Sequence, residues 1–206
     1  MHLYRTDHAT ERMVNATQEN RVDPLDAMAV YRAEVALRRQ IDTIVEFLRR
    51  QIPGFENVRI KGSASTLGVR ESRRIVGRHC LTEDELMEGK EFPDTVVHRA
   101  HFCLDIHNPS GPGQSTHEEK CPASPKHYDI PFSAMCPLGC ENLMTAGRCI
   151  SGTHVAHSSY RVMRICMAMG QAAGAAASIM TRTGDSTKTL DPARIRRHLM
   201  ERGVQL

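Results

Sequence analysis

The chain has 206 residues, 40% of them apolar, 25% charged and 4% aromatic, with no Trp. That composition excludes a wholly disordered chain and leaves the core to Ala, Met, Val, Ile and Leu. With 27 Lys and Arg against 24 Asp and Glu the formal net charge is +3, too weak a bias to mark a nucleic-acid binder.

Residues 1–22 are polar, lack periodicity and read as a lead-in. Asp23-Pro24 offers an N-cap followed by Pro at the first helical position. From Leu25 to Gln51 apolar residues recur at Met28, Tyr31, Val35, Ile41, Ile44, Val45 and Leu48, which predicts a long amphipathic helix stopped by Pro53-Gly54. Val58–Lys61 is expected as a strand. Thr66–Gly77 and Arg78 then group Arg70, Arg73, Arg74 and Arg78 around one acid, Glu71. Ion pairing with Glu71 and other carboxylates is the first reading of that group, and anchoring of an anionic ligand the second.

Thr82 with Glu85 forms a capping box for a short helix ending at Gly89. Thr95–Cys103 is strand-like and is closed by Asp105-Ile106-His107. Residues 108–127, rich in Pro, Gly, Ser and Lys, predict a loop. Asp129–Met135 and Leu143–Ala146 read as short strands. A long helix is expected over roughly Arg161–Thr181, capped by Ser158 or Ser159, and Asp191-Pro192 starts a last amphipathic helix through Arg202. No period of 20–50 residues repeats. Short strands mixed with longer helices predict an α/β or α+β fold.

Ile165–Thr181 carries no charge, yet it is rich in Ala, Gly and Met, slightly short and interrupted by Gln171, so it is expected as a buried helix and no membrane partner is implied. Seven cysteines, at 80, 103, 121, 136, 140, 149 and 166, form an odd set that reads as reduced thiols. No apolar stretch follows Met1, so a cytoplasmic setting is expected. Cys136, Cys140, Cys149, His154 and His157 suggest a metal set, but the spacing lacks the tight paired form of zinc sites, and ordinary turn thiols are the first expectation. Ser158 and Ser159 lack a paired acid and base at hydrolase spacing, so no catalytic serine is expected.

The most informative stretch is Asn142–Ser178, NLMTAGRCISGTHVAHSSYRVMRICMAMGQAAGAAAS. An apolar run enters Gly147, a polar loop follows, and a helix of very small residues begins. No carboxylate lies between Glu141 and Asp185, whereas Arg148, Arg161, Arg164 and Arg182 do. Unpaired N–H groups and partial positive charge at a helix start suit an anion or an electron-rich carbonyl. From the residues alone, a core helix with ordinary capping comes first and such a binding end second; spacing does not name a ligand. His154 and His157, in the loop before the helix, fit acid/base or substrate-anchoring work and equally fit backbone-bonding histidines.

The string AGRCISGTHVAHSSYRVMRICMAMGQAAG resembles the C-terminal signature of FAD-dependent oxidoreductases of the glutathione-reductase-type flavin fold. LGVRESRRIVG, the short helix after Leu81, the LDIH segment and the long helix from Leu25 fall in that family's order, so the resemblance covers about residues 20–182. It implies FAD as cofactor and an incomplete part of a two-domain flavoprotein. Residues 23–135 would be part of a substrate or cap domain, and 136–206 the C-terminal part of the FAD-binding domain. By the same resemblance Ala146, Gly147 and Arg148 would run beside the ribityl chain and flavin. Arg161, Val162 and Met163 would present backbone and charge to N1 and the C2 carbonyl, and His154 and His157 would lie toward an unknown small-molecule substrate.

Two departures accompany the resemblance. Arg148 stands where the wider superfamily often has a ribityl-binding Asp. The pyrophosphate-binding GxGxxG is absent, since the only G-x-G, Gly111-Pro112-Gly113, lies in the predicted loop. The expectation is therefore the C-terminal portion of a longer oxidoreductase, inactive alone and completed by a segment or separate chain carrying GxGxxG. A non-catalytic fragment or interaction module that associates with such a chain is the alternative. Apolar surface is expected on the long N-terminal helix and the Ala/Gly helix, where that completing part would lie.

Overall fold

The computed structural model describes residues 1–106 and 124–205. Of the loop expected over 108–127, residues 108–123 lie outside the described residues, as does Gly111-Pro112-Gly113. The fold is a mixture of helices and short strands, as the sequence predicts. It divides into two units, residues 1–70 and the described residues from Glu71 onward.

The first unit opens with a two-stranded antiparallel hairpin, β1 (His2–Arg5) paired with β2 (Arg12–Asn15) in the register His2↔Asn15 to Arg5↔Arg12. The polar lead-in thus contains paired strands. Both faces of the hairpin are exposed, so no alternation of apolar and polar residues marks it in the sequence. Helix α1 spans Ala27–Gln51. Its N-cap is Asp26, whose carboxylate accepts from the Met28 N–H at 2.8 Å, and not Asp23. Asp23 closes the preceding turn instead, accepting from Leu25 N–H at 2.9 Å. Arg49 and Arg50 in the last turn complement the helix dipole. Pairs four residues apart, Glu34–Arg38 at 2.7 Å and Glu46–Arg50 at 2.5 Å, line the exposed side. The strand expected at Val58–Lys61 is not formed. Arg49 folds back and donates from Nε and Nη2 to the Val58 carbonyl at 3.0 and 2.8 Å, which occupies an acceptor that a ladder would need.

The second unit carries a two-stranded antiparallel sheet, β3 (Thr95–Ala100) and β4 (Tyr128–Pro131), with Thr95 opposite Pro131 and Ala100 opposite Tyr128. The register slips between those pairs, and Arg99 adopts φ 52° there. The buried Asp129 carboxylate stabilises the bulge by accepting from Arg99 N–H and from Thr95 Oγ1, each at 2.9 Å, with His98 Nδ1 at 3.0 Å. A 3-10 turn over Phe132–Met135 replaces the second half of the expected strand. The capping box at Thr82 and Glu85 is present, and α2 (Glu83–Glu88) ends at Gly89 as expected.

The helix expected from Arg161 is present, and the polar loop expected before it, which holds His154 and His157, is itself helical: α3 (His154–Tyr160) meets α4 (Met163–Thr183) at 90°. Thr153 caps α3 by accepting from Ala156 N–H, and the Ser158 and Ser159 hydroxyls do not cap α4. They donate instead to Val155 O at 2.7 Å and Phe102 O at 2.6 Å. Ile165, Met169, Ala172, Ala175, Ala176 and Ile179 recur at helical spacing on α4 and are buried. They pack with β3 and with α5 (Pro192–Met200), whose N-cap is Asp191, and share one core with the buried residues of β4. Among the described residues no single helix is long and apolar enough to cross a membrane.

Candidate functional site

Backbone pairing among three segments outside the α-helices positions the site. Residues 75–81 run between the 133–138 turn and the loop 149–153, exchanging backbone hydrogen bonds with both. Arg78 N–H donates to Cys136 O, Ile75 N–H to Cys149 O, Leu81 N–H to Ser151 O, and Thr153 N–H returns to Leu81 O at 2.9 Å. The approach is so close that a Cβ on Gly77 would sit 2.6 Å from Ser151 Cβ, which leaves no room for any other residue.

This weave brings Glu71 beneath the start of α3. Its Oε1 accepts from Arg74 Nη1, and its Oε2 lies 2.6 Å from His154 Nδ1 and 3.9 Å from His157 Nδ1. Burial pushes the Glu71 carboxyl up, but the hydrogen bond from Arg74 and the positive charges near it prevail and hold it below the usual carboxylate range. The sequence named His154 and His157 as candidates and grouped Glu71 with the arginines. It did not reveal that one carboxylate serves all three neighbours, because the contact spans 83 positions. Of the other arginines in that group, Arg78 donates to Thr187 O and Oγ1.

The two histidines, one helical turn apart, differ sharply. The His154 side chain is 61% exposed, whereas that of His157 is 2% exposed. Burial drives His157 down to about 4, with Glu71 opposing, so it is neutral at pH 7. Its Nε2 is buried with no hydrogen-bond partner, and its ring meets Tyr160 edge-on at 5.4 Å.

The strand expected at Leu143–Ala146 has no ladder among the described residues; Thr145 N–H donates to Met135 O at 2.8 Å. Gly147, at its end, adopts φ 85°, which is why glycine is needed there. A Cβ on it would lie 3.7 Å from Cys166 Sγ, an ordinary contact, so the loop end rests on the first turn of α4. Arg148 is exposed and Ala146 is half-buried.

At the break between helices the Cys166 thiol donates to the Arg161 carbonyl at 3.3 Å. Arg161 Nη2 donates to both the carbonyl and the carboxylate of Asp105 at 2.7 Å, an ion pair that ties the chain after β3 to the break. Val162 is the N-cap of α4 and offers no side-chain hydrogen bond. The first turn holds no acid, and Met163 stands 83% exposed upon it. The N–H groups at the head of this long helix therefore have no side-chain cap, and no carboxylate in its first turn cancels their field.

Among the described residues no three His, Cys, Asp or Glu side chains are grouped to hold a metal ion. Cys136 is buried, and burial pushes its thiol up to about 11, against the pull of Arg78. A thiol held so high is a poor thiolate donor or nucleophile. Compared with known proteins, residues 2–199 match the family model described as FAD dependent oxidoreductase. No curated protein and no solved structure matches the chain.

Proposed function

Since the chain belongs to the FAD dependent oxidoreductase family, whose cofactor is FAD, we propose that residues 136–206 form the C-terminal part of its FAD-binding domain, with residues 23–135 part of a substrate or cap domain. The observation that carries this reading is the packing of Gly147, at positive φ, on the first turn of a long helix that has neither a side-chain cap nor an acid there. Ala146, Gly147 and Arg148 would lie along the flavin. Val162 and Met163 would direct backbone N–H groups to its electron-rich edge. Arg161 contributes a guanidinium already paired with Asp105 and fixes the bend from which α4 starts. Bound FAD supplies the acceptance of a hydride equivalent. The chain's own residues orient it and favour negative charge at the helix end.

His154 and His157 are assigned to the substrate side. His154 is the one with access to solvent, and His157 backs it from the interior. Unchanged turnover in both His154→Ala and His157→Ala variants of a complete enzyme would remove them from that role.

The sequence contains no GxGxxG in a strand-turn-helix setting. The proposal is therefore that this chain alone holds FAD weakly and is inactive, and that a segment or chain bearing the fingerprint completes it. Flavin titration of this chain with and without such a partner tests the reading. Tight binding is expected only with the partner, and a purified chain that alone carries one firmly held flavin would overturn it. A second reading, a non-catalytic module that associates with a nucleotide-binding chain, is favoured by the exposure of Met163, Met167, Gly170 and Gly174 along one side of α4. Flavin uptake by the pair, with no turnover across a substrate screen, would select it.

A further inference from the structure

We propose that Glu71 is a positioning residue that holds His154 as its Nδ1–H tautomer, leaving the Nε2 lone pair as a proton acceptor for a substrate bearing an O–H or N–H group. The geometry comes first. Glu71 Oε2 lies 2.6 Å from His154 Nδ1, a distance that demands a proton between them. An ionised carboxylate only accepts, so that proton belongs to the imidazole. In a neutral ring the other nitrogen then carries the lone pair. Arg74 occupies the second oxygen of Glu71 and so fixes which edge of the carboxylate faces the histidine. His154 begins α3, whose cap Thr153 is itself held by an Oγ1 donation to Glu83 Oε2 at 2.6 Å, so the backbone beneath the ring is anchored too.

His157 does not compete for this role. Its Nδ1 is 3.9 Å from the same oxygen, beyond a hydrogen bond, and its Nε2 is shut inside the protein without a partner. The side chain that can meet a ligand is therefore His154, oriented from behind by a carboxylate whose charge Arg74 sustains.

The proton step balances without any other reagent. The substrate O–H or N–H bond breaks with its electron pair left on the heteroatom. The proton forms a bond to His154 Nε2, and the ring becomes an imidazolium whose Nδ1–H still faces Glu71. An alcohol or an amine fits this chemistry. The functional half of the assignment rests on the flavoenzyme reading above, whereas the tautomer does not.

The test is nitrogen-15 NMR of the full chain labelled at histidine, at pH 8, with His154 identified by the signal lost in His154→Gln. The expected spectrum shows His154 protonated at Nδ1 and bare at Nε2. In Glu71→Gln the single amide oxygen is drawn to Arg74, so the amide NH2 faces Nδ1 and the tautomer inverts. Nε2–H in the wild-type chain, or the same tautomer in both chains, would overturn the proposal. The wild-type spectrum decides even if the variant fails to fold. In the flavin-loaded, completed enzyme, Glu71→Gln and His154→Gln should each lower kcat about a hundredfold with flavin affinity unchanged, and unchanged kcat overturns the proton-acceptor role. The expected tautomer in a chain that no partner renders flavin-binding would sink the flavoenzyme reading while supporting the positioning. Flavin binding with the wrong tautomer would sink the positioning alone.

Discussion

The two units are held together by different means although each contains a long helix. In residues 1–70 the buried apolar side chains are Ala33 and Leu48, and both faces of the hairpin are exposed. In the second unit α4, α5, β3, β4 and the loop at Ile150 share one core that includes Leu81, Leu86, Ile130, Tyr160, Met169 and Ile195. Helix α1 therefore relies on its cap, its last-turn arginines and ion pairs four residues apart, each worth a few tenths of a kcal/mol to about one. Helix α4 relies on burial of a stripe of Ala, Met and Ile. The lesson is that helical periodicity alone does not establish burial. α1 has it and leaves Met28, Tyr31 and Phe47 exposed.

The largest effect that should separate the units is truncation of a large apolar residue. Leu86→Ala removes a side chain with no exposed surface and should destabilise the second unit by about 2–5 kcal/mol. Phe47→Ala, at a 46% exposed site of α1, should change stability by no more than about 0.5 kcal/mol. Urea unfolding of the full chain measures both, and equal losses would break the distinction.

Acid should strike the second unit next. Burial keeps His157 at about 4 in the folded chain against 6.5 for a free imidazole. As pH falls through 6.5 the unfolded chain takes up this proton while the folded one does not, so stability declines from there to about pH 4. The full shift corresponds to about 3 kcal/mol. Glu71 acts in the same direction lower down, because its depressed carboxyl favours folding above its ordinary value of 4.5 and that contribution is lost on acidification. His157→Phe should flatten the profile between pH 6.5 and 4.5 and leave the loss below it. An unaltered slope in urea midpoints would assign the acid sensitivity elsewhere.

A smaller difference concerns charge. Asp129→Asn turns an amide toward donors that a carboxylate now accepts from, Arg99 N–H and Thr95 Oγ1 among them, and should destabilise by about 1–3 kcal/mol. Glu46→Ala breaks an exposed ion pair of α1 and should fall under about 0.5 kcal/mol. Thermal melts of the two variants give the ranking.

Much of this was legible in the residues, and the misses have physical causes. The capping box of α2, the Asp191 cap and the body of α1 depend on neighbours within a few positions, which a sequence displays. The break at residues 161–162 does not. Ser158 and Ser159 sit where caps belong, yet their hydroxyls serve other carbonyls, and the bend is fixed by Arg161 reaching Asp105 across 56 positions. Leu143–Ala146 has strand composition but no strand paired with it among the described residues, and β-propensity means little without a partner. At the site, both histidines were visible as chemistry. Their contrast was not, since the exposure of one and the burial of the other follow from which side of α3 meets the core.

The finest test compares caps. Asp26 accepts from Met28 N–H at the head of α1, and Arg32 lies 3.7 Å away in an exposed pair of little energetic weight. Asp26→Ala should cost about 1 kcal/mol, and because α1 is scarcely buried the loss should appear as fraying, a lower helical signal in circular dichroism well before global unfolding. Asp26→Asn separates the hydrogen bond from the charge. Asn caps about as well as Asp, so only the attraction of the carboxylate to the helix dipole, a few tenths of a kcal/mol, is lost. Thr82→Ala removes half of the capping box of α2, where Leu86 is locked into the core, so helix loss there should coincide with global unfolding. If fraying precedes unfolding in the Thr82 variant as well, the second unit is also held by local interactions at that end, and the contrast between the units narrows to α4 and the sheet beneath it.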